Sequence, residues 1–152
     1  MDNVRRFLAH AIALEREAAR RYEELSAAMQ TEGNAELKGF FSKMAYYSRL
    51  HLAEAEQRAG FHELPVMREE DFEWPEGTAP ETADWVGVDA FMDGAMALEL
   101  ALASEQRGHA YYAAIAATSQ DPETVRLARE FASEEAEHVE ELKKLILRRA
   151  AC

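Results

Sequence analysis

The sequence contains little cysteine, glycine and proline, and each shortage excludes a class of protein. Cys152 is the only cysteine among 152 residues, so there is neither a disulfide framework nor a Cys-x-x-Cys pair for a rubredoxin-type iron centre. The sequence has 7 glycines and 4 prolines, and apart from Pro122 the prolines fall between residues 65 and 80. This composition predicts an all-α protein whose long helices are interrupted once.

Basic residues and long apolar runs are also scarce. Lys and Arg number 17 against 29 Asp and Glu, for a formal net charge of −12, which argues against binding to nucleic acid or to an anionic membrane surface. No apolar run approaches the length of a membrane span, and the first residues lack the apolar stretch of a signal peptide. We therefore expect a cytoplasmic protein whose natural ligands are cations, and the length predicts a single domain over residues 1–152.

Four segments carry apolar residues at alternating spacings of four and three, the pattern of one buried helix face. The first stripe returns in the same register 90 residues later, and the second returns 87 residues later. Such a repeat predicts two similar helical hairpins. In chain order the four stripes contain Val4, Leu8, Ala11, Glu15, Ala18 and Tyr22; Leu37, Phe41, Met44, Ser48 and His51; Leu98, Ala101, Glu105 and Tyr112; and Ala128, Phe131, Glu135, His138 and Leu142.

Capping residues and helix breakers predict where these helices begin and end. The first hairpin covers residues 3–59, a crossover of irregular structure covers 60–92, and the second hairpin covers 93–150. Trp74 and Trp85 of the crossover are expected to pack onto the bundle. Two hairpins joined by one long crossover are the ferritin-like arrangement of a four-helix bundle. The predicted boundary residues are Asp2 or Asn3, Gly33, Asn34, Gly60, Asp89 or Asp93, and Asp121 with Pro122.

Five stripe positions carry glutamate or histidine where a bundle core would carry an apolar residue. Buried carboxylates are unfavourable unless they are paired or bound to metal, and carboxylate with neutral imidazole suits iron, manganese or zinc. A metal site is therefore the favoured interpretation. The alternatives are a buried hydrogen-bond network without metal, or surface residues assigned to the wrong helix face. The five residues are Glu15, His51, Glu105, Glu135 and His138.

With these motifs the chain resembles the ferritin-like di-iron carboxylate superfamily, in particular a rubrerythrin-like branch that lacks the rubredoxin domain. The resemblance rests on Glu15-Arg-Glu-Ala18, on Glu105-Gln-Arg-Gly108 and on Glu135-Ala-Glu-His138. It implies two iron ions, with manganese or zinc as alternatives. Glu15 and His51 would be terminal ligands of one ion, Glu105 and His138 of the other, and Glu135 would bridge them. A homodimer and a separate electron donor are also implied.

The second helix departs from the family pattern. Ser48 stands where the Glu-x-x-His motif would place a second bridging carboxylate, so the second metal is expected to bind more weakly. Glu54 is a poor replacement, because six residues turn it about 120° away from Ser48 on the helix. Gly108 replaces a further glutamate of many rubrerythrins, which puts a rubrerythrin-type peroxidase activity in doubt.

Other polar residues receive weaker assignments. His109 is a candidate to orient Glu105, against the alternative of simple solvent exposure. Tyr22 and Tyr112 are interpreted first as core aromatics, with donation of an electron to an oxidising centre as the alternative. Several acids are interpreted as a solvated helix face, namely Glu23, Glu24, Glu134, Glu137, Glu140 and Glu141.

Three functional hypotheses remain open at this point. The first is a di-metal protein that reacts with O₂ or H₂O₂ in iron or oxidative-stress handling, as an oxidase or peroxidase. The second is a non-enzymatic metal-binding or sensing bundle whose site is weakened, and holds one ion, because of Ser48. A bundle with a vestigial site, serving only as an interaction module, is the third and least favoured reading.

Overall fold

The computed structural model describes residues 3–60, 64–65, 67–68, 72, 74 and 92–150. The described residues form four helices and no strand. Helix α1 spans Val4–Glu32, α2 spans Ala35–Ala59, α3 spans Gly94–Thr118 and α4 spans Pro122–Ala150. The predicted all-α four-helix bundle is therefore confirmed.

Each helix begins beside a predicted capping residue, and α1 and α2 end next to the predicted glycines Gly33 and Gly60. The side chain of Asn3 accepts backbone N–H groups of α1, and Asn34 and Asp93 do the same for α2 and α3. Gly33 ends α1 at a φ of 81°, a left-handed conformation that favours glycine. A connection of only two residues follows, so α1 and α2 must run antiparallel.

The second hairpin is closed in a similar way. Asp121 accepts a hydrogen bond from the backbone N–H of Thr124 at 3.0 Å, and the proline at position 122 opens α4 without losing a hydrogen bond. Within each hairpin the two helices pack along their lengths, α1 against α2 and α3 against α4. Both predicted hairpins are thus present.

The core consists of two apolar clusters at different heights of the bundle. One contains Leu25, Phe41 and Leu142, and the other contains Phe7, Leu14 and Phe131. Between them lies a layer of buried glutamate and histidine, to which each cluster presents one tyrosine, Tyr22 from the first and Tyr112 from the second. The apolar clusters exclude water from the two ends of this polar layer.

The crossover lies almost entirely outside the described residues, as do Trp85 and the candidate cap Asp89. Trp74 is described, and its ring packs against His10 of α1 and Tyr111 of α3 at centroid distances of 4.8 and 5.3 Å. The prediction that Trp74 packs onto the bundle is confirmed. In the described part of the chain, no helix has the length and apolar character needed to cross a bilayer.

Candidate metal centre

All four helices contribute to the polar layer. Glu15 lies on α1, His51 on α2, Glu105 on α3, and Glu135 and His138 on α4. The three glutamates are each 2% exposed. The heptad pattern therefore placed these acids on buried helix faces correctly.

Glu105, Glu135 and His138 form the most compact part of the layer. Each offers one ligand atom, and these atoms lie within 4.8 Å of one another. Nδ1 of His138 is 3.4 Å from Oε2 of Glu105 and 3.9 Å from Oε2 of Glu135. Because Glu135 and His138 are three residues apart on α4, both side chains point to the same side of the helix. This arrangement could hold one metal ion.

Glu15 and His51 form the other part of the layer. Nδ1 of His51 is 4.0 Å from Oε2 of Glu15. The imidazole rings of His51 and His138 stack at a centroid distance of 5.1 Å and an angle of 14°. Glu135 connects the two parts, because its side chain hydrogen-bonds both Glu15 and Glu105. A hydrogen bond between two carboxyl groups needs a proton, which a cation could replace.

Two tyrosines cross between the hairpins to reach these acids. Tyr22 of the first hairpin donates its hydroxyl to Oε1 of Glu105 in the second at 2.5 Å. Tyr112 of the second hairpin donates to Oε1 of Glu15 in the first at 3.3 Å. Both tyrosines thus belong to the core, as predicted, and their hydroxyl groups contact acids of the polar layer.

Burial and neighbouring charges set the protonation of the layer. Burial raises the pKa of Glu15, and the charge of Glu105 adds to that effect. Burial also opposes ionisation of Glu105, but contacts with Glu135, His138 and Tyr22 outweigh it, so the pKa of Glu105 is lowered. Burial, and secondarily the charge of His138, lowers the pKa of His51 to about 4. His51 is therefore neutral at pH 7, as a metal ligand must be.

The pKa of His138 shifts in the opposite direction to that of His51. Burial alone would lower its pKa, but contact with Glu105 and the charges of Glu15 and Glu134 raise it. In the metal-free protein His138 can thus carry a proton that neutralises part of the acidic layer. Metal binding would have to displace that proton.

The hydrogen bonding of the ligand atoms gives separate support for a metal ion at this site. Three buried ligand atoms in the layer lack a hydrogen-bond partner among the described residues, namely Nδ1 of His51, Oε2 of Glu105 and Nδ1 of His138. Buried polar atoms without partners are uncommon and costly. Carboxylate oxygen with imidazole nitrogen is the combination that iron, manganese and zinc accept.

Three further residues have positions that bear on the sequence predictions. Ser48 is buried on α2, one turn before His51. The carboxylate that the family pattern would place at this position is therefore missing from the interior of the bundle. Nδ1 of His109 lies 2.9 Å from the carbonyl oxygen of Ala132, which joins α3 to α4. The side chain of His109 is half-buried and hydrogen-bonded to the backbone. The interpretation of His109 as simply solvent-exposed is therefore wrong.

Glu134 was missed as a candidate from the sequence. Its assignment to the solvated helix face is wrong, because its side chain is only 26% exposed and Oε2 lies 3.6 Å from Nε2 of His51. Burial, together with the charges of Glu54 and Glu15, raises the pKa of Glu134. The available signal was its position four residues before His138, which puts both on the same side of α4.

A groove between α2 and α4 leads to the polar layer. Its volume is about 610 Å³, and both imidazole rings line it. Such a space is large enough for small molecules to approach the histidines from solvent. Other lining residues are Phe40, Lys43, Tyr47 and Lys144.

The four-helix bundle with a buried layer of glutamate and histidine defines a ferritin-like protein with a candidate metal site. No family model matches the sequence, and no curated protein does either. Among solved structures it is similar to COG1633, an uncharacterized conserved protein from Magnetospirillum magnetotacticum MS-1. The two are 43% identical, the match covers 96% of this chain and 95% of that chain, and the TM-score is 0.79. The chain belongs to the COG1633 family, which is of the ferritin-like, rubrerythrin type.

Proposed function

We propose that this protein holds two metal ions, with iron as the preferred metal, and that it reacts with O₂ or H₂O₂. The observation that carries the proposal is the convergence of three buried glutamates and two histidines from four helices, with ligand atoms that have no hydrogen-bond partner in the described part of the chain. A permanent hydrogen-bond network would be expected to satisfy those atoms. Bound cations would satisfy them and neutralise the acids.

In this proposal Glu105 and His138 hold one ion, Glu15 and His51 hold the other, and Glu135 is shared. The hydrogen bonds of Glu135 to both Glu15 and Glu105 support its central position. Two ferrous ions would supply two electrons, enough with two protons to reduce one H₂O₂ to two water molecules. A separate protein or small molecule must return those electrons, because the sequence lacks the cysteines of a rubredoxin centre.

The chain's own residues prepare the site for this chemistry. Tyr22 and Tyr112 hold the terminal carboxylates in place, and the two apolar clusters exclude bulk water above and below. The groove between α2 and α4 offers a small oxidant a path to the histidine side of the site. The layer is thus enclosed by the bundle and reachable from one side.

A second candidate function is supported by one asymmetry. Among the described residues, only Glu105, Glu135 and His138 bring three ligand atoms within 4.8 Å, whereas Ser48 leaves the His51 side with fewer carboxylates. The protein could then bind a single ion and serve as a metal-binding or sensing protein. In both cases the Glu105, Glu135 and His138 side is expected to bind first.

Anaerobic titration of the metal-free protein with Fe(II) distinguishes these functions. Two irons per chain, with a charge-transfer absorption that grows when O₂ or H₂O₂ is added, would support the di-iron proposal. One iron without such a change would support the binding or sensing function, and no bound iron, manganese or zinc would refute both.

Two variants make this experiment specific to the site. Glu135→Gln keeps the side-chain shape but removes a carboxylate that both ions would share, so it should lower the bound iron to one or none. The matched control is Glu140→Gln, an exposed glutamate on the same helix. Its iron content should equal that of the wild type, and circular dichroism should show unchanged helix content in both variants.

A further inference from the structure

Glu134 stands on the opposite side of the His51 ring from Glu15. Nε2 of His51 is 3.6 Å from Oε2 of Glu134, and Nδ1 is 4.0 Å from Oε2 of Glu15. The two ring nitrogens therefore face different carboxylates. Nδ1 is the nitrogen that faces a candidate metal ligand, and Nε2 is the nitrogen that faces Glu134.

This placement bears on the tautomer of His51. A neutral imidazole has one N–H donor and one nitrogen lone pair, and a metal ion needs the lone pair. If Nε2 carries the proton and donates it to Glu134, the lone pair of Nδ1 faces Glu15 and the metal centre. A carboxylate that accepts the second N–H of a ligating histidine also fixes the ring orientation and increases its basicity.

Glu54 of α2 is a further polar neighbour of Glu134, and the hydrogen bond between the two acids helps to raise the pKa of Glu134. Arg58 of α2 pairs with Glu54 at 3.6 Å and with Glu130 at 3.2 Å. Oε2 of Glu134 is buried and has no hydrogen-bond partner among the described residues. A shift of less than about 1 Å would bring Nε2 and Oε2 to hydrogen-bond distance.

The internal repeat provides a comparison within the molecule. With the offset of 87 that relates His51 to His138, the counterpart of Glu134 is Tyr47. Its ring lies against His138 with a centroid distance of 6.4 Å, so an aromatic ring occupies the place that a carboxylate occupies beside His51. The two histidines are therefore supported differently.

We propose that Glu134 is a positioning residue, which accepts the Nε2–H of His51 and so presents Nδ1 to a metal ion on the Glu15 side. Direct coordination by Glu134 is disfavoured because it lies beyond the ring from Glu15. The metal part of this inference rests on the proposed function, whereas the hydrogen bond to His51 does not.

Nuclear magnetic resonance of the ¹⁵N-labelled, metal-free protein tests the hydrogen bond by itself. At a pH above 8, where Glu134 with its pKa of about 8 is ionised, His51 of the wild type should be the Nε2–H tautomer, with an Nε2–H proton protected from exchange with water. Glu134→Ala should lose that protected proton, while the control Glu137→Ala, which removes an exposed acid from the same helix, should keep it. An Nδ1–H tautomer in the wild type, or a protected proton that persists in Glu134→Ala, would overturn the proposal.

Metal titration tests the positioning role. In Glu134→Ala the affinity of the more weakly binding site for Zn(II) or Fe(II) should fall by about 10- to 100-fold, with the other site unchanged. Glu134→Gln retains an acceptor oxygen and should recover part of the loss. Equal affinities in wild type and Glu134→Ala would refute the positioning role and leave the proposed function intact. A wild type that binds no metal would refute the proposed function, and the resonance result would then decide the inference alone.

Discussion

At the scale of single residues, each tyrosine of the polar layer supports an acid of the other hairpin. Tyr22 donates to Glu105 and Tyr112 donates to Glu15, but the first bond is 2.5 Å long and the second 3.3 Å. Glu105 has a lowered pKa and accepts as a carboxylate, whereas the pKa of Glu15 is raised. A hydrogen bond to a charged acceptor is stronger than one to a neutral acceptor.

Replacing these tyrosines by phenylalanine should therefore have unequal effects on the metal-free protein. Tyr22→Phe leaves a buried, ionised acceptor without its donor, and we expect the free energy of unfolding at pH 7 to fall by about 1.5–3 kcal/mol. For Tyr112→Phe we expect a loss of about 1 kcal/mol or less. Urea unfolding followed by circular dichroism measures both.

Tyr46→Phe is the matched control for these two variants, because Tyr46 is 54% exposed. Removing this exposed hydroxyl group should change the free energy of unfolding by no more than about 0.5 kcal/mol. Equal losses for Tyr22→Phe and Tyr112→Phe would contradict the difference in charge between Glu105 and Glu15.

Ser48→Glu tests whether the missing carboxylate weakens the second metal position. Ser48 is buried, so a new acid there should destabilise the metal-free protein by more than about 1 kcal/mol and tighten binding of the second ion. Isothermal titration with Zn(II) and thermal unfolding without metal measure the two effects. Ser48→Gln has similar size without charge, and a gain in affinity with that variant would argue against the electrostatic explanation.

The sequence could predict some site residues better than others. Glu15, Glu105 and Glu135 interrupt apolar stripes, so helix periodicity alone placed them on buried faces. The contacts of Tyr22 and Glu134 are made across the interface between hairpins, and their geometry depends on how those hairpins pack. Periodicity within one helix contains no information on that packing.

At the scale of secondary-structure elements, local chemistry was sufficient to place the helix ends. Asn3, Asn34 and Asp93 act as N-caps, and Gly33 ends α1 in a left-handed conformation. These are interactions within a few residues of the chain, which a sequence pattern records directly. The crossover was predicted only as irregular, because its stripe pattern fails and its placement depends on distant packing, such as that of Trp74.

Alanine substitutions at two helical glycines, Gly94 and Gly39, should change the stability of the protein in opposite directions. A Cβ at Gly94 would lie 2.7 Å from Cδ1 of Leu37 and 3.0 Å from Nη2 of Arg149, where α3 begins against α2 and α4. Gly94→Ala should therefore lower the free energy of unfolding by about 1–3 kcal/mol. Gly39 is exposed within α2, and no atom of the described residues lies within 4 Å of a Cβ placed there, so Gly39→Ala should raise the free energy of unfolding by about 0.5–1 kcal/mol.

Urea unfolding of both glycine variants at one pH measures this difference. A neutral or stabilising Gly94→Ala would show that Leu37 can move aside without loss of packing. That result would mean that the start of α3 is packed less tightly than the distances indicate.

At the scale of the whole molecule, ionisation couples the polar layer to the stability of the bundle. The folded protein raises the pKa of Glu15 to about 7 and that of Glu134 to about 8, from an ordinary value of 4.5. It also raises the pKa of His138 above 6.5. Above pH 6.5 the folded metal-free state thus retains protons that the unfolded state has lost. His51 and Glu105, whose folded pKa values are lowered, have little effect in this range.

The metal-free protein should therefore lose stability as the pH rises from 6.5 to about 8.5. Since the folded state binds more protons, the free energy of unfolding falls with increasing pH, by on the order of 2 kcal/mol. With excess Zn(II) the slope should reverse, because the ligands must be deprotonated to bind metal. Urea unfolding at several pH values, with and without metal, measures both slopes.

The Glu15→Gln variant has no ionisable group at position 15. The stability of its metal-free form should therefore depend less on pH in the same range. A wild-type stability that rises with pH without metal would contradict the raised pKa values. A slope that excess Zn(II) does not change would argue against metal binding by the polar layer.

The internal repeat also has an evolutionary consequence. The positions of Ser48 and Glu135 correspond under the offset that relates His51 to His138, and so do those of Tyr47 and Glu134. In a dimer of identical hairpins, any substitution would appear in both halves of the site at once. Joining the hairpins in one chain removes that restriction, so mutation can alter one half while selection preserves the other. The differences at these two pairs of positions are of the kind that only such a fused chain can accumulate.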